Sequence, residues 1–158
     1  MTGRFEQFCN AIAGIQHAIT KIERMEMEKY GLKGPHAQCL LAMRQHPDGI
    51  TSAMLCDFCK KDKAAISRTV AELESAGMIT RYDPMGKRYR TQLYLTEKGQ
   101  LIAQDVEVLV HRTVSRVSGG YDVETRNAFV QVLCQMAANL QELCNEIQRE
   151  TDTAEEKQ

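Results

Sequence analysis

Apolar residues recur along the chain with two different periods, and the change between them divides it. Phe5, Phe8, Ile12, Ile15, Ile19 and Ile22 follow at alternating spacings of three and four, which is one stripe of a helix. The spacing predicts a long helix from about Arg4 to Tyr30, with Gly31 as its stop signal. Gly34-Pro35 opens a second helix reaching about Gln45, since proline suits the first helical position. Its apolar residues are Ala37, Leu40, Leu41 and Met43. His46-Pro47-Asp48-Gly49 is a turn. Thr51 then N-caps a short helix to about Phe58, and Asp62 caps another to about Ser75. In the latter, Ala65, Ile66, Thr69, Val70 and Leu73 keep helical spacing, and Gly77 ends it.

From Met78 the pattern shifts. Met78 to Tyr82 reads as a strand, Asp83-Pro84-Met85-Gly86 as a turn, and Thr91, Leu93 and Leu95 alternate with Gln92, Tyr94 and Thr96. Period two on both sides of a turn is a β-hairpin. Thr96-Glu97-Lys98-Gly99 opens a helix to about Ser118, which Gly119-Gly120 breaks. Asp122 caps a last helix carrying Phe129, Leu133, Met136, Leu140, Leu143 and Ile147, and Arg149 to Gln158 is polar. That end is expected to fray as a flexible tail. The expected fold class is mainly α with a small β-hairpin wing: a winged helix-turn-helix flanked by long N- and C-terminal helices. Residues 34–98 form the expected winged lobe, 4–30 and 100–148 a helical lobe, and 149–158 the tail.

Composition narrows the class. The chain has 158 residues, 43% of them hydrophobic, with 20 Lys+Arg against 21 Asp+Glu. This suits one domain with a core and excludes a polycationic coat or a disordered acidic tail. No apolar run approaches the roughly 18 residues of a membrane span. Met1 to Gln7 is polar, without a signal-peptide core, so the expected location is the cytoplasm and no membrane partner is expected.

Balanced totals conceal a local excess. Residues 60–90 hold eight basic groups, Lys60, Lys61, Lys63, Arg68, Arg81, Lys87, Arg88 and Arg90, against four acids, while the remainder is net acidic. The charge gathers on the start of the helix capped by Asp62 and on the hairpin tip, the footprint expected for a phosphate backbone. That helix starts Lys63-Ala64-Ala65-Ile66-Ser67-Arg68. Recognition helices enter the major groove with their early residues at base edges. Arg68 can donate two hydrogen bonds to guanine, Ser67 can bond base or phosphate, and Ala64 permits close approach, with Lys63 beside them. The alternative is an ordinary solvated helix face. Thr51, Lys60, Lys61, Lys87, Arg88 and Arg90 are the candidates for backbone or wing contacts.

Several segments resemble the MarR family of transcriptional regulators. Asp62 to Ile79 is similar to the family's recognition helix and the Leu-Glu-x-x-Gly-Leu-Ile segment after it. Leu93-Tyr94-Leu95-Thr96-Glu97-Lys98-Gly99 is similar to its exit from the wing, and Gly31-Leu32 with Gln38-Cys39-Leu40-Leu41 to the start of its second helix. The resemblance covers about residues 5 to 147. It implies a homodimer that binds double-stranded DNA at an inverted repeat, acting as a repressor that a small-molecule or redox signal releases. Pairing is expected through Phe5, Phe8, Ile12 and Ile15 with Leu133, Met136, Leu140, Leu143 and Ile147. A cleft for a small aromatic or amphipathic effector would draw on His17, Met25, Met43 and His111. Two departures stand out: the wing reads Lys87-Arg88-Tyr89 where the family often has Asp-Arg-Arg, and Lys61 stands where an apolar residue is usual.

Other chemistry is weaker. Cys56 and Cys59 form a single C-x-x-C, half a zinc site at most, and buried cysteine behaves as a small hydrophobe. Cys9 sits in the first helix, as in peroxide-sensing relatives, but Asn10 follows it. Glu107 and His111 stand at i and i+4, with His17 and His36 as possible companions, though such a pair is more often solvated or hydrogen-bonded. No metal and no cofactor are expected. No phosphate loop, G-x-S-x-G or H-E-x-x-H supports an enzyme. A helical scaffold would account for the long stripes but not for the basic hairpin tip.

Overall fold

A computed structural model describes residues 2–82 and 91–155. The elements are α1 (Thr2–Glu28), α2 (Gly34–Arg44), α3 (Ser52–Cys59), α4 (Lys63–Ser75), β1 (Ile79–Tyr82), β2 (Gln92–Leu95), α5 (Glu97–Val117) and α6 (Val123–Glu155). The order is that of a winged helix-turn-helix between long terminal helices. The turn expected at Asp83 to Gly86 lies outside the described residues.

Helices α3 to α6 begin where the sequence supplies a side-chain acceptor for an unpaired amide of the first turn. Thr51 Oγ1 accepts from the Met54 amide at 3.3 Å, and Asp62 Oδ1 from the Ala65 amide at 2.7 Å. Asp122 Oδ1 does the same for the Thr125 amide at 2.8 Å. Thr96 Oγ1 accepts from the Gly99 amide at 3.1 Å while donating to the Gly77 carbonyl at 2.8 Å, which ties the start of α5 to the end of α4. Gly77 closes α4 in the left-handed conformation, φ 72°. Its amide bonds Glu74 O and that of Met78 bonds Leu73 O, both at 2.9 Å, the double closure that glycine permits at a helix end.

Contacts divide the chain into two compact units, Met1–His111 and Arg112–Gln158. The first holds a core of Met27, Leu32, Leu40, Ile50, Leu55, Ile66, Val70, Leu73, Met78, Leu93, Ile102 and Val106, among others, all buried. Helix α2 lies at its centre: His36, Ala37, Cys39, Leu40, Ala42 and Met43 are all buried. Burying each large aliphatic side chain is worth about 1.5–3 kcal/mol. The hairpin is antiparallel, pairing Ile79 with Leu95 and Tyr82 with Gln92. Ile50 adds an isolated antiparallel rung, exchanging backbone hydrogen bonds with Leu93 at 2.9 and 3.2 Å. Polar links fasten the first half of α5: Tyr30 Oη donates to Asp105 at 2.7 Å and Arg44 Nε to Glu107 at 2.7 Å. Gly99 is required by close packing, because a Cβ there would run into the Met78 carbonyl.

Along α1, the stripe from Phe5 to Ile19 is largely open: Phe5, Ile12, Ile15 and Ile19 are exposed and Phe8 is half-buried. The Phe5 and Phe8 rings stack with centroids 6.5 Å apart. In the second unit Leu140, Leu143 and Ile147 are exposed and Leu133 and Met136 half-buried. Helix α6 does not stop near Arg149, as the polar tail suggested. It continues to Glu155, and polar residues there support helix at i,i+4: Gln148 Nε2 donates to Asp152 at 2.8 Å.

Candidate nucleic-acid interface

Helix α4 divides cleanly into two faces. Ile66, Thr69, Val70 and Leu73 point into the core, whereas Lys63, Ala64, Ser67 and Arg68 are all exposed. The four candidates for base contact therefore share the outward side of the first two turns, since positions three and four apart are neighbours on a helix. Asp62 occupies only one of the first-turn amides, and the positive end of the helix dipole adds to the charge of Lys63.

The turn before α4 has its own constraint. Lys60 caps α3 with φ 51°, a left-handed conformation that L-residues adopt at some cost. Its side chain is exposed, and Lys61, whose amide donates to the Cys56 carbonyl, is half-buried. Thr51, a candidate for backbone contact, has its hydroxyl engaged as the α3 cap and is half-buried. Lys87, Arg88 and Arg90 lie outside the described residues. Arg81, counted with the basic cluster, donates Nε to Glu74 at 2.7 Å, so much of its charge is already matched.

Sequence reading did not assemble the cluster of Lys33, His36 and Glu72, which links α2 and the residue before it to α4. Glu72, one turn beyond Arg68, accepts from Lys33 Nζ and from buried His36 Nε2, the latter at 2.9 Å. His36 Nδ1 accepts the Lys33 amide at 3.0 Å, which defines the neutral ring as the Nε2–H tautomer. Lys33 holds the Glu72 carboxyl below its ordinary range, with His36 adding to the effect. Burial pulls His36 below its usual value despite the neighbouring carboxylate. These residues line a depression of about 280 Å³ with Pro35, Lys61, Ala65, Arg68 and Thr69. Sequence carried no local signal for the cluster, because Glu72 is 36 positions from its histidine partner.

The remaining candidates disperse. Met43 is in the core, while His17, Met25 and His111 are exposed. Glu107 is engaged by Arg44 and His36 by Glu72, and among the described residues no three His, Cys, Asp or Glu side chains group to hold a metal ion. Cys59 contacts Cys39 on α2, sulfur to sulfur at 3.7 Å, and both are buried. Among the described residues no helix is long and apolar enough to cross a membrane.

A MarR family model matches residues 30–88. The fold matches that of the transcriptional regulator SlyA, with TM-score 0.77 and 21% identity over 85% of this chain and 94% of that one. It also matches a putative MarR-family regulator from Listeria monocytogenes complexed with a 26mer DNA, with TM-score 0.77 and 22% identity over 84% and 87%. A third match is S. aureus MepR in its DNA complex, TM-score 0.73 and 17% identity over 82% and 94%. The family match spans the recognition helix, and the solved structures share the fold: the chain is similar to the MarR family over residues 30–88 and has the winged helix-turn-helix fold of these regulators.

Proposed function

We propose that this chain is a homodimeric repressor that binds an inverted-repeat operator in double-stranded DNA and lets go in response to a small-molecule or redox signal. The observation that carries the reading is the exposed start of α4, where Lys63, Ala64, Ser67 and Arg68 form one surface above a capped N-terminus. In this reading they contact base edges, and Thr51, Lys60 and Lys61, with Lys87, Arg88 and Arg90, contact the backbone or act from the wing. Two DNA complexes among the similar folds support the partner class.

Dimerisation is supported by the open apolar stripes. Phe5, Ile12 and Ile15 on α1, and Leu140, Leu143 and Ile147 on α6, expose surface that a soluble chain gains by covering. A two-fold pair would present two α4 helices to successive major grooves, so the operator would be an inverted repeat. An aromatic or amphipathic ligand reaching His17, Met25 or His111, with Met43 behind them as core, would change the spacing of the two helices. Its effect is limited to its differential affinity for the two states. Selection of bound sites from random duplexes tests the proposal: recovery of a two-fold motif supports it, and enrichment of no motif overturns it.

A further inference from the structure

Three of the six cysteines, Cys9, Cys134 and Cys144, are exposed, but the other chemistry-bearing thiols lie inside the winged lobe. Cys39 on α2 and Cys59 at the end of α3 bring their sulfurs to 3.7 Å in the core. Disulfide formation requires about 2.05 Å, so a further approach of about 1.6 Å separates this contact from a covalent bond. We propose that Cys39 and Cys59 are a peroxide-oxidisable dithiol whose conversion to a disulfide weakens DNA binding; the second half rests on the DNA-binding reading above.

Each thiol has a distinct part. The hydrogen bond from Cys39 holds the Cys59 thiol below its ordinary range, with Lys61 assisting, and the same bond together with burial pushes Cys39 up. Cys59 is the nucleophile, since the thiolate is the reactive form, and it retains 8% exposure where Cys39 has none. The Cys59 thiolate attacks the distal oxygen of a hydroperoxide and the O–O bond breaks. The leaving alkoxide, or hydroxide when the oxidant is hydrogen peroxide, takes the proton that Cys59 released, and Cys59 becomes a sulfenic acid. Cys39 sulfur then attacks Cys59 sulfur, the S–OH bond breaks, and the Cys39 proton leaves with hydroxide as water. Two thiols are oxidised by two electrons and one peroxide bond is reduced.

The location makes the bond consequential. Cys59 is the last residue of α3, and only Lys60 and Lys61 separate it from Asp62, the cap of α4. Lys60 is already in a left-handed conformation, and the Lys61 amide is bonded to the Cys56 carbonyl. Drawing Cys59 toward α2 therefore pulls on the short turn that sets where α4 begins. Close-packed interiors shift between discrete arrangements rather than stretch.

The test uses reduced full-length protein, treated with equimolar hydrogen peroxide under native conditions, quenched with N-ethylmaleimide and mapped by mass spectrometry. The expected product is a linked peptide pair containing Cys39 and Cys59, within one chain and reversed by dithiothreitol. Affinity for a duplex recovered by site selection should fall at least tenfold on oxidation. Cys39→Ser and Cys59→Ser should each remove the response, with Cys39→Ala and circular dichroism guarding against misfolding, while Cys9→Ser/Cys134→Ser/Cys144→Ser should keep it. Alkylation of both core thiols after peroxide, or a linked pair with unchanged affinity, would overturn the proposal. Failure of the reduced protein to bind any duplex would instead overturn the DNA-binding reading, and the peptide map would still decide the dithiol.

Discussion

His36 on α2 donates Nε2–H to Glu72 on α4 across 2.9 Å, joining the most buried helix of the lobe to the one that faces outward. The same imidazole accepts the Lys33 amide on its other nitrogen, so the neutral ring satisfies both elements at once. A second proton would set an N–H against an N–H donor at Nδ1.

The ring therefore couples stability to pH. Burial lowers the His36 pKa from 6.5, with the Glu72 carboxylate opposing and Lys33 reinforcing the shift. As pH falls below about 6.5, the unfolded chain binds a proton there before the folded one does, so stability declines until the folded pKa is passed. Above 6.5 the contribution is fully present. Urea midpoints between pH 7.5 and 5 should fall more steeply for the wild type than for His36→Gln. Parallel curves would show that His36 does not carry this dependence.

Arg68→Ala should leave fold and assembly intact, because the side chain is exposed. Removing a bidentate hydrogen-bonded pair with a base costs about 1–3 kcal/mol per half-site, and the effect should fall on the operator alone. Arg88→Ala should instead weaken binding to many sequences and flatten the salt dependence. An unchanged ratio of operator to random-DNA affinity for Arg68→Ala would remove it from base readout.

Replacing Leu140 by Asp tests the pairing of two chains. Leu140 is 52% exposed in one chain, so a carboxylate there disturbs little of the isolated fold. In a dimer it would forfeit about 1.5–3 kcal/mol of burial in each copy and bury two charges. Sedimentation at micromolar concentration should show a wild-type dimer and a lighter or unfolded variant. A wild-type monomer at that concentration would end the proposal.

Lys60→Gly separates stability from DNA affinity. Glycine relieves the left-handed conformation, φ 51°, and after its own entropy cost the gain should be about 0.5–1 kcal/mol. The melting temperature should rise while the salt slope of DNA binding shrinks by about 0.9 for each phosphate that this lysine neutralises. A higher melting temperature with an unaltered slope would mean that Lys60 touches no phosphate.

Local chemistry makes much of this chain legible from its residues. The caps at Thr51, Asp62 and Asp122 act on amides three residues away, Gly77 answers a backbone requirement at one position, and the change of period at Met78 reports a pleat instead of a helix. The outward face of Lys63, Ala64, Ser67 and Arg68 follows from helical geometry as soon as Ile66 and Val70 are assigned inward. The extension of α6 to Glu155 is hidden because a polar end reads as fraying, whereas side-chain pairs one turn apart sustain the helix. What joins distant segments is decided by tertiary structure alone. The rung between Ile50 and Leu93, the hold of Lys33 and His36 on Glu72, and the contact of Cys39 with Cys59 rather than a paired C-x-x-C all bridge 20 or more positions. Spacing and propensity carry signals over a turn or two of chain; which side chains meet beyond that depends on how the buried faces of α2, α3 and α4 pack together.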